Sequence, residues 1–307
     1  MIGNVALYVA LRLAAVVLPL IPLGLAYRIA TFAGWCAYRL FPIPRRRISQ
    51  NLSIVMGLPV HSPQVRRAAR AAFENDARNW IDTLRIGRVE LDDIERVLDI
   101  EPGGWERLMA AYGEGKGLIL VTLHLGNYDL VGQLIALRGY ALTVPVEHMR
   151  PPALYDFLTR ERRSKGINAV PVEQAPRALL RALRNREMVA IAGDRAVAGR
   201  RIQVELFDRP ALIPRSPVSL ARRTGAELVV ACGVRNGARY SGIVSAPVPI
   251  QRTDDADADD RVNAQRLAAV FEGFLRRFPD QWLMFDNLWQ EGGNTAATIL
   301  QTEEAAV

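Results

Sequence analysis

The sequence is short of thiols and imidazoles: two cysteines, Cys36 and Cys232, and three histidines, His61, His124 and His148. Two thiols exclude a disulfide framework and suit a reducing compartment. Three scattered histidines without paired cysteines leave no material for a zinc centre, and no metal is expected. Lysine is nearly absent as well. Lys116 and Lys165 stand alone, so the net charge of +7 and the pI near 9.8 come almost wholly from arginine. Guanidinium groups suit phosphates or an anionic membrane face.

Several motifs are missing too. Gly113 to Gly117 lacks the spacing and the Ser/Thr of a phosphate-binding loop and reads as a tight turn. No Gly-x-Ser-x-Gly elbow occurs, which removes the usual carrier of serine acyl-enzyme chemistry. The run from Asp255 to Asp259 imitates the start of a calcium loop. Asp260 stands where such a loop needs glycine, and Arg266 where it needs a bidentate glutamate. It reads instead as a solvated loop with an acidic helix start.

No apolar run reaches the roughly 20 residues of a straight spanning helix. Residues 1–44 nevertheless contain no acidic residue, and the uncharged stretch Leu13–Tyr27 is interrupted only by Pro19, Pro22 and Gly24 before a second apolar piece, Ile29–Tyr38. These pieces predict a re-entrant or interfacial helical hairpin, an amino-terminal membrane anchor closed by Arg45, Arg46 and Arg47 against anionic headgroups. A buried amphipathic helix pair is one alternative and a secretory signal another, but for the signal the first charge is Arg12 and no Ala-x-Ala cleavage site follows. By the positive-inside rule, the rest of the protein faces the cytoplasm from the inner membrane.

What is present is apolar and regularly patterned. Half of the 307 residues are hydrophobic, enough for a sizeable core. Helical spacing marks Pro63–Arg88, and a short strand is expected at Val97–Ile100 before helix Gly104–Tyr112. Then strand Gly117–Thr122 leads to helix 127–138. Strand Leu142–Val146, helix Pro152–Lys165, strand Ala169–Val172, helix Ala175–Arg186 and strand Met188–Ala192 follow. Helix Pro217–Arg223, strand Leu228–Val234, an antiparallel strand Tyr240–Val248 and helix Asp259–Arg277 complete the pattern. This alternation predicts an α/β fold with a mostly parallel mixed sheet flanked by helices. The expected organisation is a membrane-associating segment 1–44, one catalytic domain 45–291 and a disordered tail 292–307.

The most telling stretch is His124 to Asp129, directly after the apolar strand. A histidine at a strand-to-helix corner emerges at a sheet rim beside free helix amides. A base (His124), an orienting carboxylate (Asp129) and an oxyanion site from the Gly126 and Asn127 amides are expected to converge there, the parts of an acyl-transfer site. An imidazole with its ordinary pKa near ~6.5 suits removal of a hydroxyl proton at neutral pH. The bland alternative is a buried histidine bonded to a carbonyl, with Asp129 merely favouring a helix start.

His124-x4-Asp129 after a hydrophobic strand resembles the first motif of the glycerolipid and lysophospholipid acyltransferase superfamily. Further blocks follow in order: Arg160 to Arg163, Ala192 to Arg195, Val204 to Pro217 and Ala221 to Val229. Together they resemble the bacterial lipid A biosynthesis acyltransferase branch over nearly the whole chain. Asp208 departs from the pattern, standing where many members carry glycine.

The resemblance implies transfer of a fatty acyl group from acyl-CoA or acyl-carrier protein to a hydroxyl of a glycolipid, with membrane lipids as further partners. The thioester is a substrate, no cofactor is implied, and nucleic acid is not expected as a partner. Glu147 and Asp194-Arg195 close strands at the same rim and are substrate-binding candidates. Arg160, Arg162 and Arg163 are candidates for phosphate-bearing substrates, with a solvated basic helix face as the alternative. Acylation of a lysophospholipid is the runner-up, and a non-catalytic lipid-binding protein of the same fold is the alternative from another class.

Overall fold

The computed structural model describes residues 2–85, 90–195, 199–237 and 239–289. The expected tail from Gly292 lies outside the described residues, as do the last three residues of the helix expected to end at Arg88.

Helices α1 (Ile2–Val17), α2 (Leu23–Leu40), α3 (Pro42–Met56) and α4 (Pro63–Arg85) precede α5 (Leu91–Val97) and strand β1 (Leu98–Ile100). The chain continues through α6 (Gly104–Gly113), β2 (Leu118–Thr122), α7 (Tyr128–Leu137), β3 (Leu142–Val146), α8 (Pro152–Ser164), β4 (Ile167–Pro171), α9 (Ala175–Arg184) and β5 (Met188–Ala192). Strands β6 (Arg201–Leu206) and β7 (Arg209–Pro214), helix α10 (Ser216–Thr224), β8 (Glu227–Asn236), β9 (Arg239–Val244) and α11 (Ala256–Arg277) complete the fold.

Seven strands form one sheet in the order β1-β9-β8-β2-β5-β3-β4, in which every neighbouring pair is parallel except the β8–β9 hairpin. The expected α/β class with a mostly parallel mixed sheet is therefore the observed one. Its centre is apolar on both faces. Ile119, Val121, Val189, Ile191, Leu228 and Val230 join a core shared with α3, α4, α9, α10 and α11, whereas Leu118, Leu120, Met188, Val229 and Ala231 join a second core with α6 and α7. This two-sided burial produces continuous hydrophobic runs instead of alternation.

Three expectations change at the level of elements. The hairpin β6–β7 was not expected, although Arg201–Leu206 alternates exposed and buried residues along its length. Its turn places Phe207 and Asp208 at φ 54° and 57°, backbone space that glycine occupies more easily. Phe207 is held there by its backbone N–H, which donates to the Glu272 carboxylate at 2.6 Å, and by packing against Trp289, with ring centroids 6.1 Å apart. The acidic run is the expected acidic start of α11, with Asp257 and Asp259 in its first turn, but it is only partly solvated. Asp255 caps the helix, but Asp259 and Asp260 are fully buried, Asp260 between Arg215 (2.7 Å) and Arg222 (2.8 Å).

The expected amino-terminal hairpin is not a segment apart from the body. No described helix is long and apolar enough to cross a membrane. Two α-helices do follow each other where the hairpin was expected, and both pack on the body. In α1, Arg12 pairs with Glu161 of α8. In α2, Gly34 lies so close to α4 that a Cβ would come within 2.6 Å of the Phe73 carbonyl oxygen.

Candidate active site

The central pairing of the sheet builds the site. In the β2–β5 register Thr122 lies opposite Ala192, and each is followed two residues later by a polar side chain, His124 and Asp194. Gly193 permits the approach, since a Cβ there would meet Val121 at 2.5 Å and Phe271 at 2.6 Å. The outcome is an imidazole–carboxylate pair. His124 Nδ1 lies 2.7 Å from Asp194 Oδ1, while the His124 amide and the Trp282 indole each donate to Oδ2 at 2.9 Å.

Asp194 is 2% exposed. Burial drives its carboxyl upward, but the His124 charge and hydrogen bond, with the Trp282 and amide donors, outweigh burial and hold it below the usual carboxylate range. An ionised acceptor at Nδ1 fixes the ring proton there and leaves the Nε2 lone pair for chemistry. The His124 side chain remains 22% exposed, so substrate has access. Tyr128 packs edge-on against the imidazole, with centroids 5.6 Å apart. Burial, with the Asp129 charge beside it, pushes its phenol up to about 12, so it stays protonated.

Asp129 does not meet the histidine. It sits in the first turn of α7 and turns toward α8, where Arg162 donates to it through Nε and Nη2, both at 3.0 Å. The position expected of Asp129, at Nδ1, belongs to Asp194. The expected oxyanion amides are also occupied. Gly126 N donates to Gln281 O at 2.9 Å and Asn127 N to Gly233 O at 2.7 Å. Gly126 adopts φ 61°, and a Cβ would lie 2.1 Å from Gly233 O, so the turn accepts only glycine. The Asn127 side chain caps α7 by accepting from Leu130 N at 3.3 Å. Among the described residues, the Tyr128 and Asp129 amides keep no acceptor.

The arginine cluster disperses because successive helix residues are about 100° apart. Arg160 reaches the Tyr8 hydroxyl at 3.4 Å, Arg162 is committed to Asp129, and Arg163 donates to Ala169 O at 2.9 Å. The three do not form one phosphate site.

Over residues 4–291 the sequence matches the family described as bacterial lipid A biosynthesis acyltransferase. The chain belongs to that family. It is an acyltransferase. Two relatives carry the name phosphatidylinositol mannoside acyltransferase. The Mycobacterium tuberculosis protein is 28% identical over 250 residues, which cover 79% of this chain and 76% of the relative. The Mycolicibacterium smegmatis protein is 25% identical over 249 residues, which cover 79% of each.

In this lipid A family acyltransferase the other rim candidates form a chain of ion pairs. Arg195 donates to Glu147 at 2.6 Å and to Asp286 at 3.2 Å, and Asp286 in turn receives Arg47 at 3.4 Å. A cavity of about 480 Å³ lies between α3 and the β6–β7 turn and shares no residue with the His124 region. Tyr128 and Trp282 went unnoticed in the sequence. Tyr128 sits inside the His-x4-Asp stretch, whereas Trp282 lies far from any motif and carries no signal.

Proposed function

We propose that this acyltransferase moves a fatty acyl chain from acyl-CoA or acyl-carrier protein to a hydroxyl of a glycolipid at the membrane surface, with His124 as general base and Asp194 as its orienting carboxylate. The observation that carries the reading is the buried Asp194 at Nδ1 of an imidazole that is itself still partly exposed. Nε2 takes the acceptor's hydroxyl proton as its oxygen attacks the thioester carbonyl. The carbonyl oxygen becomes an oxyanion, for which the Tyr128 and Asp129 amides are the unoccupied donors. When the C–S bond breaks, the imidazolium returns the proton to the thiolate. The Asp129–Arg162 pair fixes α7 against α8. Glu147 and Arg195, about two-fifths exposed, contact the acceptor.

The glycolipid acceptor is suggested by the mannoside named for the relatives. Interfacial docking is supported by the surface. Among the described residues, eleven of the thirteen exposed large hydrophobics lie between Val9 and Ile43. Purified protein is expected to transfer label from an acyl thioester to extracted phosphatidylinositol mannosides, and His124→Ala to abolish transfer in protein that remains folded. Undiminished transfer by His124→Ala would refute the assignment.

A further inference from the structure

Arg235 of β8 is almost fully buried, and its guanidinium lies between two phenol rings, 4.7 Å from the Tyr27 centroid and 4.5 Å from that of Tyr240. Nη2 donates to Asp82 of α4 at 2.9 Å and to the Tyr240 hydroxyl, but Nε and Nη1 meet no acceptor among the described residues. A buried ion with unsatisfied donors is a poor stabilising device compared with packed apolar side chains. Its worth lies in what it holds.

Arg235 holds Asp82. That carboxylate also accepts from the Tyr27 hydroxyl at 2.5 Å, from the Tyr240 hydroxyl, and from Asn127 Nδ2 at 3.3 Å. One turn earlier on α4, Asn79 donates to Gly126 O at 2.7 Å. Helix α4 therefore grips both residues that separate Leu125 from Tyr128, and Asn127 passes the grip to the start of α7 through Leu130 N.

We propose that Asp82 and Arg235 are positioning residues for acyl transfer: Arg235 fixes Asp82, Asp82 fixes the Asn127 side chain, and Asn127 fixes the first turn of α7 beside His124. Tyr27 brings α2 into the same relay, so the seat of the exposed amino-terminal helices reaches the catalytic turn through three side chains. The relay acts on the geometry of the Tyr128 packing and of the two open amides, not on substrate affinity. It rests on the reading of His124 as the base.

The test is steady-state acyl transfer by the full chain, with each substrate varied. Asp82→Asn is expected to lower kcat about tenfold and Tyr27→Phe about threefold, with both KM values within roughly a factor of two. The decisive measurement is a double-mutant cycle. In an Asn127→Ala background neither change should lower kcat further, because the link they act through is gone. Losses that multiply in that background, or wild-type kcat in both single variants, would overturn the relay. If Asp82→Asn fails to fold, the Tyr27→Phe cycle alone decides, since it removes one hydroxyl.

His124→Ala in the same assay separates the two readings. Retained activity there removes the assignment of the base and the relay with it. An inactive His124→Ala beside fully active Asp82 and Tyr27 variants removes only the relay.

Discussion

Asp194 and Asp129 are both carboxylates near the same histidine, yet their partners give them different tasks. Asp194 holds the imidazole, so Asp194→Asn, which offers a donor where Nδ1 needs an acceptor, should lower kcat by roughly 10²–10⁴-fold with little change in KM. Asp129 holds Arg162 in a bidentate pair whose side chains are 16% and 12% exposed. Its removal strands a largely buried guanidinium, a loss of about 3–5 kcal/mol. Asp129→Ala should therefore lower the melting temperature, whereas Asp194→Asn acts mainly on turnover. Equal melting temperatures for Asp129→Ala and wild type would show that the pair contributes nothing to stability. Asp76 makes a third case. It has no ion pair among the described residues, its charge reaches Tyr128, and burial, only partly offset by a Trp80 hydrogen bond, pushes its carboxyl up to about 6. A carboxyl whose folded pKa is raised costs stability as pH climbs from the unfolded value near ~3.8 through ~6, up to about 3 kcal/mol at pH 7.5. Asp76→Asn should thus raise the melting temperature at pH 7.5, and the gain should shrink as pH is lowered toward 4. A gain that is constant with pH would mean that ionisation is not its source.

Between strands and helices, the β2–α7 corner depends on one backbone geometry. Gly126→Ala adds a Cβ 2.1 Å from the Gly233 carbonyl oxygen at φ 61°, whereas Gly139→Ala, at φ 86°, meets open space. Gly139→Ala should cost about 1 kcal/mol from φ alone, and Gly126→Ala well over ~2 kcal/mol together with most activity. Equal melting temperatures for the two variants would contradict the observed close approach. This corner was legible in the sequence because Leu118–Thr122 is apolar and Gly126 and Asn127 punctuate it. The partner of His124 was not legible from spacing within one segment. It follows from the register of two parallel strands 70 residues apart, Thr122 with Ala192, which fixes Asp194 level with the histidine. The succession of strands and helices along the chain was similarly readable, since buried parallel strands are continuous apolar runs. Helix α3 was hidden by Pro44 and three arginines that read as a headgroup cluster, although Ile48, Leu52 and Val55 have helical spacing. The β6–β7 hairpin was hidden by a turn that uses Phe207 and Asp208 in place of glycine. Long-range pairing and atypical turns are the two features that local pattern does not encode.

On the scale of the whole molecule, the exposed apolar helices and the His124 rim lie close together. Helix α2 packs on α4, α4 grips Gly126 and Asn127, and Arg47 of α3 joins Asp286 and Arg195 beside Asp194. A bilayer under α1, α2 and the start of α3 would present a lipid hydroxyl to His124 without the acceptor leaving the interface. Two kinds of attraction would hold the protein there, and they separate by salt. Leu20 is 75% exposed and Phe32 66%, so each would insert apolar surface worth about 1.5 kcal/mol, roughly tenfold in partitioning. Arg46 and Arg47 would add about 1 kcal/mol each on anionic lipid, and that part would be screened. Leu20→Ser with Phe32→Ser should lower binding to vesicles of phosphatidylglycerol and phosphatidylcholine about a hundredfold at any salt concentration. Arg46→Gln with Arg47→Gln should weaken binding only at low salt and flatten its salt dependence. Co-sedimentation with vesicles measures both. Binding that is unchanged by the serine pair would remove the apolar face of α1 and α2 from the membrane contact and leave docking to charge alone.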